Sequence, residues 1–312
     1  MLKRREFLAQ TTALATFAAL SMAATWPKAI DTHTHFYDPT RPQGVPWPPA
    51  SETLLYKPYY PKDFVALTEP LGVVGTVVVE ASPWLEDNEW ILDLAKDNPS
   101  IVGFIGNLKL GESAFTTNLQ RFTRNPLFRG LRLGERVLAE GLGQRAFEND
   151  LARMGDERLT IDVIGSATLL PHLQRVAKLA PKLKIVIDHL PFEAWDRNPA
   201  AMRTALADVA ALPNVWAKVS NVVRRVDGRV IEDGAFYRPH LDTLWQLFGT
   251  NRLVYGSNWP VSERVAPYAI VHRVGAEYFT AKGNAAAANF FWKNSLKAYG
   301  WQARGTAKTL GK

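Results

Sequence analysis

The stretch VVGTVVVEA, residues 73–81, is a nearly continuous run of apolar and mostly β-branched residues. Such a run is typical of a parallel strand whose two faces are both buried. Helix-period stretches such as NEWILDLAKDN and RPHLDTLWQLFG lie between this run and others like it. The others are KAIDTH (28–33), IVGFIGN (101–107), FRGLRL (128–133), LTIDVIG (159–165), LKIVIDH (183–189), NVWAKVS (214–220) and RLVYGSN (252–258). Eight strands that alternate with helices predict a (β/α)8 barrel, the α/β fold known as the TIM barrel.

A doubly wound parallel sheet is the alternative arrangement of alternating strands and helices. No glycine-rich phosphate loop follows the first predicted strand, which favours the barrel. The chain has 312 residues, of which 47% are apolar, enough for one large core. No internal repeat or low-complexity linker divides residues 25–312, so we predict a single domain there.

Residues 1–24 begin with the charged segment KRREFL and continue into a mildly apolar stretch rich in Ala and Thr. This pattern is typical of a twin-arginine export signal, with Arg4 and Arg5 as the pair. We expect the twin-arginine export machinery to recognise this segment. After cleavage, the mature protein is expected to be periplasmic, with no stable membrane insertion. An N-terminal membrane anchor is the alternative, because residues 8–26 are uncharged and about long enough to span a bilayer.

The formal net charge is +7, but Lys and Arg are scattered and no basic run alternates with aromatic residues. The electrostatic pattern of a nucleic-acid binder is therefore missing, and we predict no nucleic-acid partner. The chain contains no Cys, which excludes disulfides, thiolate catalysis and Cys-ligated metal.

His33 and His35 occupy alternate positions at the end of the first predicted strand, so their side chains point to the same face. His189 ends the sixth predicted strand. The carboxyl ends of barrel strands meet at the face where active sites lie, so the three imidazoles are predicted to converge. Two simpler interpretations stay open: a polar strand end in a loop for the His pair, and a turn cap for His189.

Several segments together resemble the amidohydrolase superfamily: DTHTHF, VVVEAS, FRGLR, KIVIDHLP, NVWAKVS, RLVYGSNWP and NFFWKNSLKAYG. Within it the chain is similar to the amidohydrolase-related branch that contains pyrone-dicarboxylate and sugar lactonases. The resemblance extends from about residue 30 to 300 and implies a barrel with His33, His35 and His189 in the site. It also implies a catalytic Asp at position 258, where this chain has Asn258.

An amide cannot take a proton from water at neutral pH, although it can orient a water or donate to an oxyanion. Three interpretations of Asn258 follow. Another carboxylate serves as the base, with Glu80, Asp31 and Asp162 as candidates. A histidine serves instead, or the protein has lost hydrolysis and kept binding. Glu80 also fits a buried ion-pair partner equally well.

The metal content is a separate question. Three His ligands with an open fourth position suit Zn²⁺, so His33, His35 and His189 would be the ligands of a single ion. The resemblance to metal-independent lactonases implies instead that these histidines polarise the carbonyl directly. The fifth predicted strand ends without a His or Lys ligand, which argues against two metals. We expect no obligatory cofactor, with one Zn²⁺ as the alternative.

Candidate substrate contacts lie at the predicted barrel mouth. Arginine guanidinium groups match carboxylates, so Arg132, Arg224 and Arg225 indicate a small anionic substrate. The aromatic residues Trp47, Tyr56 and Trp84 are candidates to line the pocket. Surface exposure of the arginines, and packing of the aromatics beneath their own loops, are the competing interpretations.

The combined prediction is a hydrolase in which water attacks a lactone or other cyclic ester of a small acid. Two alternatives stay open. One is a metal-dependent decarboxylase of an aromatic or enoic acid, since related decarboxylases share the fold and the first-strand motif. The other is a periplasmic binding protein whose catalysis has lapsed, which Asn258 supports.

Overall fold

The computed structural model describes residues 26–189 and 197–310. Eight parallel strands form one sheet in chain order, and the helices surround it. The barrel strands are β1 Ala29–Thr34, β2 Val73–Val79, β3 Ile101–Gly106, β4 Phe128–Gly134, β5 Thr160–Ile164, β6 Lys184–Ile187, β7 Val215–Val219 and β10 Leu253–Tyr255. The predicted (β/α)8 barrel and its eight strands are confirmed. The export segment predicted for residues 1–24 lies outside the described residues.

The sheet closes where the first strand meets the segment after the last. The Asn258 N–H donates to the His33 carbonyl at 2.9 Å, and the His35 N–H donates to the Trp259 carbonyl at 2.9 Å. Strand β10 ends at Tyr255, so the closing residues lie just beyond it. Closure therefore places the end of β1 beside the Asn258 turn.

The helices pack on the outer face of the barrel. Among the described residues they are α1 Pro61–Thr68, α2 Leu85–Asp97, α3 Phe115–Thr123, α4 Glu135–Gly141, α5 Arg145–Asp156, α6 Leu170–Leu179, α7 Pro199–Ala210, α8 Gly234–Phe248, α9 Tyr268–Ala281, α10 Asn284–Ala288 and α11 Asn294–Tyr299. A π-helical turn, Asn289–Lys293, joins α10 to α11. Helix α5 is typical, because Phe147, Leu151 and Met154 form one buried stripe at helical spacing. Among the described helices, none combines the length and apolar character needed to cross a bilayer.

The C-terminal segment closes the end of the barrel opposite the predicted site. Trp301 is buried against the inner core together with Tyr299. The Gln302 N–H donates to the Val102 carbonyl at 2.8 Å, and the Arg304 guanidinium donates to the Ile101 carbonyl at 3.0 Å. The amino ends of the strands are thereby covered, which leaves the carboxyl ends for chemistry.

The loop after β7 contains a small antiparallel hairpin, β8 Arg225–Val226 and β9 Arg229–Val230. Both strands lie on the surface, and Arg225 is exposed. The loop after β1 instead packs inward, since Tyr37 and Tyr59 are both buried and pair through their backbones. The first-strand loop is thus part of the fold around the barrel mouth.

Candidate active site

The three predicted histidines come together at the carboxyl end of the barrel. The ring centroids of His33 and His189 lie 4.3 Å apart, and those of His33 and His35 lie 4.9 Å apart. His33 lies in β1 and His35 directly follows the end of that strand, while His189 lies two residues beyond β6 with a φ of 48°. Residues far apart in sequence therefore share one site.

The imidazoles of His35 and His189 are each held in place by a hydrogen bond at Nδ1. His35 Nδ1 lies 2.9 Å from the Val79 carbonyl oxygen, which can only accept, so Nδ1 carries the proton and Nε2 has the lone pair. His189 Nδ1 pairs with the Ser220 hydroxyl at 2.9 Å. Burial lowers the pKa of His35 to about 4 and the pKa of His189 to about 3. Both rings are neutral at physiological pH.

His33 sits beside a group of charged residues that are completely shielded from solvent. The Lys218 ammonium lies 3.1 Å from His33 Nδ1, 2.5 Å from Asp162 Oδ2 and 2.7 Å from Asp188 Oδ1. The Tyr299 hydroxyl donates to the other Asp162 oxygen at 2.9 Å. We call Lys218, Asp162 and Asp188 the buried charge cluster.

The cluster shifts the pKa of each of its carboxyl groups. Burial, joined by the charge of Asp188, raises the pKa of Asp162 to about 7 despite the opposing Lys218 ammonium. Burial alone would also raise the pKa of Asp188, but Lys218 and His33 hold it well below its usual range. Burial lowers the pKa of His33 well below its usual value. Asp188 is therefore the anion that balances the lysine.

Arg132 connects the cluster to the barrel mouth. Its Nε lies 3.5 Å from Asp188 Oδ2, and its Nη1 lies 3.8 Å from Glu80 Oε1. The Arg132 side chain is 16% exposed and that of Glu80 is 20% exposed, so both reach solvent. Burial raises the pKa of Glu80 to about 7, although Arg132 acts in the opposite direction.

The Asn258 side chain lies beside the histidines at the point of barrel closure. Its φ is 63°, a left-handed conformation that Asn tolerates better than most residues. Its Nδ2 donates to Asn221 Oδ1 at 3.2 Å. The amide also hydrogen-bonds to the His35 imidazole, which raises the pKa of that ring against the larger effect of burial.

The carboxylate oxygens of Asp31 and Asp162, the other two candidate bases, already accept hydrogen bonds. Asp31 is fully buried and accepts from the backbone N–H groups of His33 and Ser257 and from the Tyr268 hydroxyl. Asp162 is fully buried in the charge cluster. Asp31 thus fastens the end of β1 to the closing segment, and neither carboxyl group reaches solvent.

The predicted substrate contacts separate into two groups. Trp47 lies near the histidines, with its ring centroid 6.0 Å from His35 and 5.5 Å from Tyr37. Tyr56 and Trp84 are each 38% exposed, and Trp84 lines a groove with Leu108 and Phe115 that does not include the histidines. The structure brings Trp47 to the site and leaves Trp84 on a different surface.

The two arginines of the β7 loop also differ from Arg132. The Arg225 guanidinium donates to the Val265 carbonyl at 2.9 Å on the surface. The Arg224 backbone N–H donates to the Tyr237 hydroxyl at 3.1 Å, and the residue is half-buried. Of the three predicted arginines, Arg132 is the one that contacts the buried charge cluster.

Sequence reasoning missed Lys218 and gave no role to Asp188. A signal for the lysine was present, because Lys218 interrupts the apolar strand NVWAKVS and a lysine is almost never fully buried without a partner. Asp188 directly precedes His189, and the strand-end pattern was assigned to the histidine alone. Its partners could not be read from its neighbours in the chain.

A metal ion would need ligands that are free to bind it. Within the described ranges, His33, Asp162 and Asp188 form a group whose donor atoms all lie within 4.8 Å of one another. The donor types suit zinc, but the Lys218 ammonium already contacts all three residues. With the lysine in place, this group does not fit a metal ion.

Comparison with known proteins agrees with this architecture. Residues 30–301 match the family model described as amidohydrolase. The chain is 31% identical over 237 residues to an L-fucono-1,5-lactonase of Burkholderia ambifaria, covering 75% of this chain and 80% of that protein. It is 27% identical over 274 residues to an L-fucono-1,5-lactonase of Burkholderia multivorans, covering 84% and 92%.

Solved structures show the same fold. A crystal structure of an amidohydrolase from Burkholderia multivorans with bound zinc superposes with a TM-score of 0.78 and 24% identity, covering 88% of this chain and 100% of that one. The chain belongs to the amidohydrolase family, and it is a hydrolase that acts on ester bonds.

Proposed function

We propose that this protein hydrolyses a lactone or related cyclic ester of a small sugar acid, by attack of water on the ring carbonyl. The observation that carries the proposal is the convergence of His33, His35 and His189 at the carboxyl end of the barrel. The two Burkholderia relatives named L-fucono-1,5-lactonase support a sugar-acid lactone as the substrate class.

The neutral His33 imidazole would polarise the carbonyl through an N–H group. The carbonyl oxygen gains negative charge as water attacks, and a fixed N–H donor in a dry site stabilises that charge. His33 Nε2 is buried and has no hydrogen-bond partner among the described residues, so it is the nitrogen available to the oxygen. Asn258, held by Asn221, would orient the water or the leaving oxygen.

We assign the proton acceptor to Glu80. It stands directly after β2, one residue beyond the Val79 carbonyl that holds His35. Its side chain reaches solvent, and its pKa of about 7 suits a general base at neutral pH. The contact with Arg132 at 3.8 Å is too long for a tight ion pair and leaves the carboxylate able to take a proton.

Arg132 would bind the negative charge of the substrate. Its Nε is buried without a hydrogen bond among the described residues, and its partners Asp188 and Glu80 lie at 3.5 and 3.8 Å. A guanidinium with unused donors near the mouth favours a carboxylate-bearing ligand. Trp47, beside His35, is suitably placed to pack against a sugar ring.

We propose further that no metal is obligatory for this reaction, and one zinc ion is the alternative. Lys218 already supplies the cation of the charge cluster, which supports a reaction in which side-chain donors act directly. The proposed periplasmic location is a separate proposal and rests on Arg4 and Arg5. It is tested by cell fractionation of the protein and of a variant with both arginines changed to Lys.

The decisive experiment is a panel of sugar-acid lactones and linear esters, assayed with and without chelator while metal is measured on the same sample. We expect lactone hydrolysis that chelation leaves unchanged, that His33→Gln abolishes, and that His172→Gln on the outer helix α6 does not change. No turnover, with a small acid recovered from the protein, would favour the binding alternative. Zinc-dependent release of CO₂ would favour the decarboxylase.

A further inference from the structure

We propose that the Lys218 ammonium takes the place of a metal ion between His33, Asp162 and Asp188, and thereby fixes His33 as a hydrogen-bond donor toward the substrate. Lys218 is a positioning residue, since it reaches the reacting atoms only through His33. The donor role of His33 rests on the proposed function, whereas the position of the lysine does not.

The geometry around the Lys218 Nζ matches that of a bound cation. Three groups from β1, β5 and the end of β6 surround it: Asp162 Oδ2 at 2.5 Å, Asp188 Oδ1 at 2.7 Å and His33 Nδ1 at 3.1 Å. An ammonium has three protons and no acceptor. A zinc ion would need the same ligands at about 2.0–2.2 Å, so it would overlap the nitrogen. The lysine and a metal ion exclude each other here.

Either the Lys218 ammonium or a metal ion must be present, because the buried carboxylates need a positive charge beside them. Asp162 and Asp188 are both fully shielded from solvent, and an isolated buried carboxylate is strongly unfavourable. Lys218 provides one positive charge inside the cluster, and Arg132 approaches Asp188 from the mouth at 3.5 Å. Without the lysine, two carboxylate ligands and one imidazole would surround an empty space, which is a donor set that zinc accepts.

The same contact determines which nitrogen of His33 carries its proton. An ammonium can only donate, so His33 Nδ1 must accept and the proton lies on Nε2. Asp188 Oδ1 is farther from this Nδ1, at 3.4 Å, than the Lys218 ammonium is, at 3.1 Å, and Oδ1 itself lies 2.7 Å from that ammonium. Nε2 lies on the opposite edge of the ring from the lysine. The site thus has a fixed N–H donor from His33, while His35 presents a lone pair.

Zinc retention tests the exclusion. Wild type, Lys218→Ala and the control Lys184→Ala would be loaded with zinc, desalted and measured by mass spectrometry of the metal. Lys184 is a suitable control, because it lies on the neighbouring strand β6 and donates to the Lys297 carbonyl at the surface. We expect Lys218→Ala to gain about one zinc ion per chain over the other two, bound by His33, Asp162 and Asp188. Introducing Asp162→Asn into the Lys218→Ala variant should abolish the additional zinc binding.

A folded Lys218→Ala protein without extra zinc would overturn the proposal. So would wild-type protein that already retains zinc in a way that Asp162→Asn abolishes. The alanine variant leaves Asp162 and Asp188 buried without the cation between them. Its folding is therefore checked by circular dichroism before the metal is measured.

A second measurement on the wild type needs no folded variant. Nitrogen NMR of protein with ¹⁵N-labelled histidine reports which ring nitrogen is protonated, and His33→Gln identifies the His33 signals. We expect the proton on Nε2, and a proton on Nδ1 would contradict the inference. Neither measurement uses a substrate, so a failure of the lactone panel would leave both results intact.

Discussion

Glu80 has the carboxyl group at the barrel mouth whose pKa lies near neutrality, and this distinguishes it from the histidines around it. Burial raises its pKa to about 7, whereas burial lowers the pKa of His35 to about 4 and that of His189 to about 3. A general base acts in its deprotonated form. The pH at which activity appears therefore reports which group takes the proton.

We expect kcat/KM of the wild type to rise with pH through about 7, as Glu80 loses its proton. Glu80→Gln should lose this rise and about 10²-fold or more in rate at pH 8, a typical effect for a general base. The check is a pH–rate profile from pH 4 to 9 of both proteins. A wild-type rise near pH 4 would instead assign the proton acceptance to His35.

Arg132 should set the affinity for an anionic substrate. Arg132→Met removes a charged hydrogen-bond donor worth about 1.5–3 kcal/mol, which corresponds to a KM higher by about 10-fold to 100-fold. Arg225→Met is the matched control, because the Arg225 guanidinium donates to the Val265 carbonyl on the surface. Steady-state kinetics on the preferred lactone measure both. An equal change of KM in the two variants would show that Arg132 does not bind the substrate.

At the scale of single elements, the tight packing of strand β4 against β5 positions Arg132. Gly130 pairs with Thr160 in the strand register, and a Cβ atom at Gly130 would overlap the Thr160 carbonyl oxygen. This oxygen belongs to the backbone, so a side-chain rotation cannot relieve the contact. Arg132 follows two residues later on the same face. The glycine thus allows the close approach that brings Arg132 beside Asp188.

Gly130→Ala should lower the free energy of unfolding by about 3 kcal/mol or more, at the upper end of overpacking effects. Gly134→Ala at the end of the same strand is the control, since nothing lies within 4 Å of the added atom. Its expected change is within about 0.5 kcal/mol. Urea unfolding followed by fluorescence measures both variants, and equal stability would show that the two strands can separate without cost.

At the scale of the whole molecule, the C-terminal segment supports the site from the far end of the barrel. Trp301 is 4% exposed, and its indole N–H donates to the Ser295 hydroxyl at 3.0 Å. Tyr299, two residues before it, donates to Asp162 in the buried charge cluster. The closing segment is therefore connected to the cluster through a direct hydrogen bond.

Trp301→Ala should destabilise the protein by about 3–5 kcal/mol, because it leaves a large cavity at the end of the inner core. Trp84→Ala is the matched control, since the Trp84 side chain is 38% exposed, and we expect a change within about 0.5 kcal/mol. Thermal unfolding of both variants decides between these values. A stable Trp301→Ala protein would mean that the barrel closes without this segment.

The sequence by itself determined the barrel and the location of three histidines. Apolar runs and the two-residue period of strands are local properties, so eight strands and the shared face of His33 and His35 could be predicted from neighbouring residues. The position of His189 at a strand end was equally local. The resemblance added position 258 and the family, both of which rest on short motifs.

The tertiary structure alone decided how these residues are connected. Lys218 is 56 residues from Asp162 and 185 residues from His33 in the chain, and barrel closure brings all three into contact. No local pattern encodes an ion pair between such distant residues, and burial strengthens it by removing water. The cation of the site, the tautomer of His33 and the separation of Arg132 from Arg225 follow from that closure.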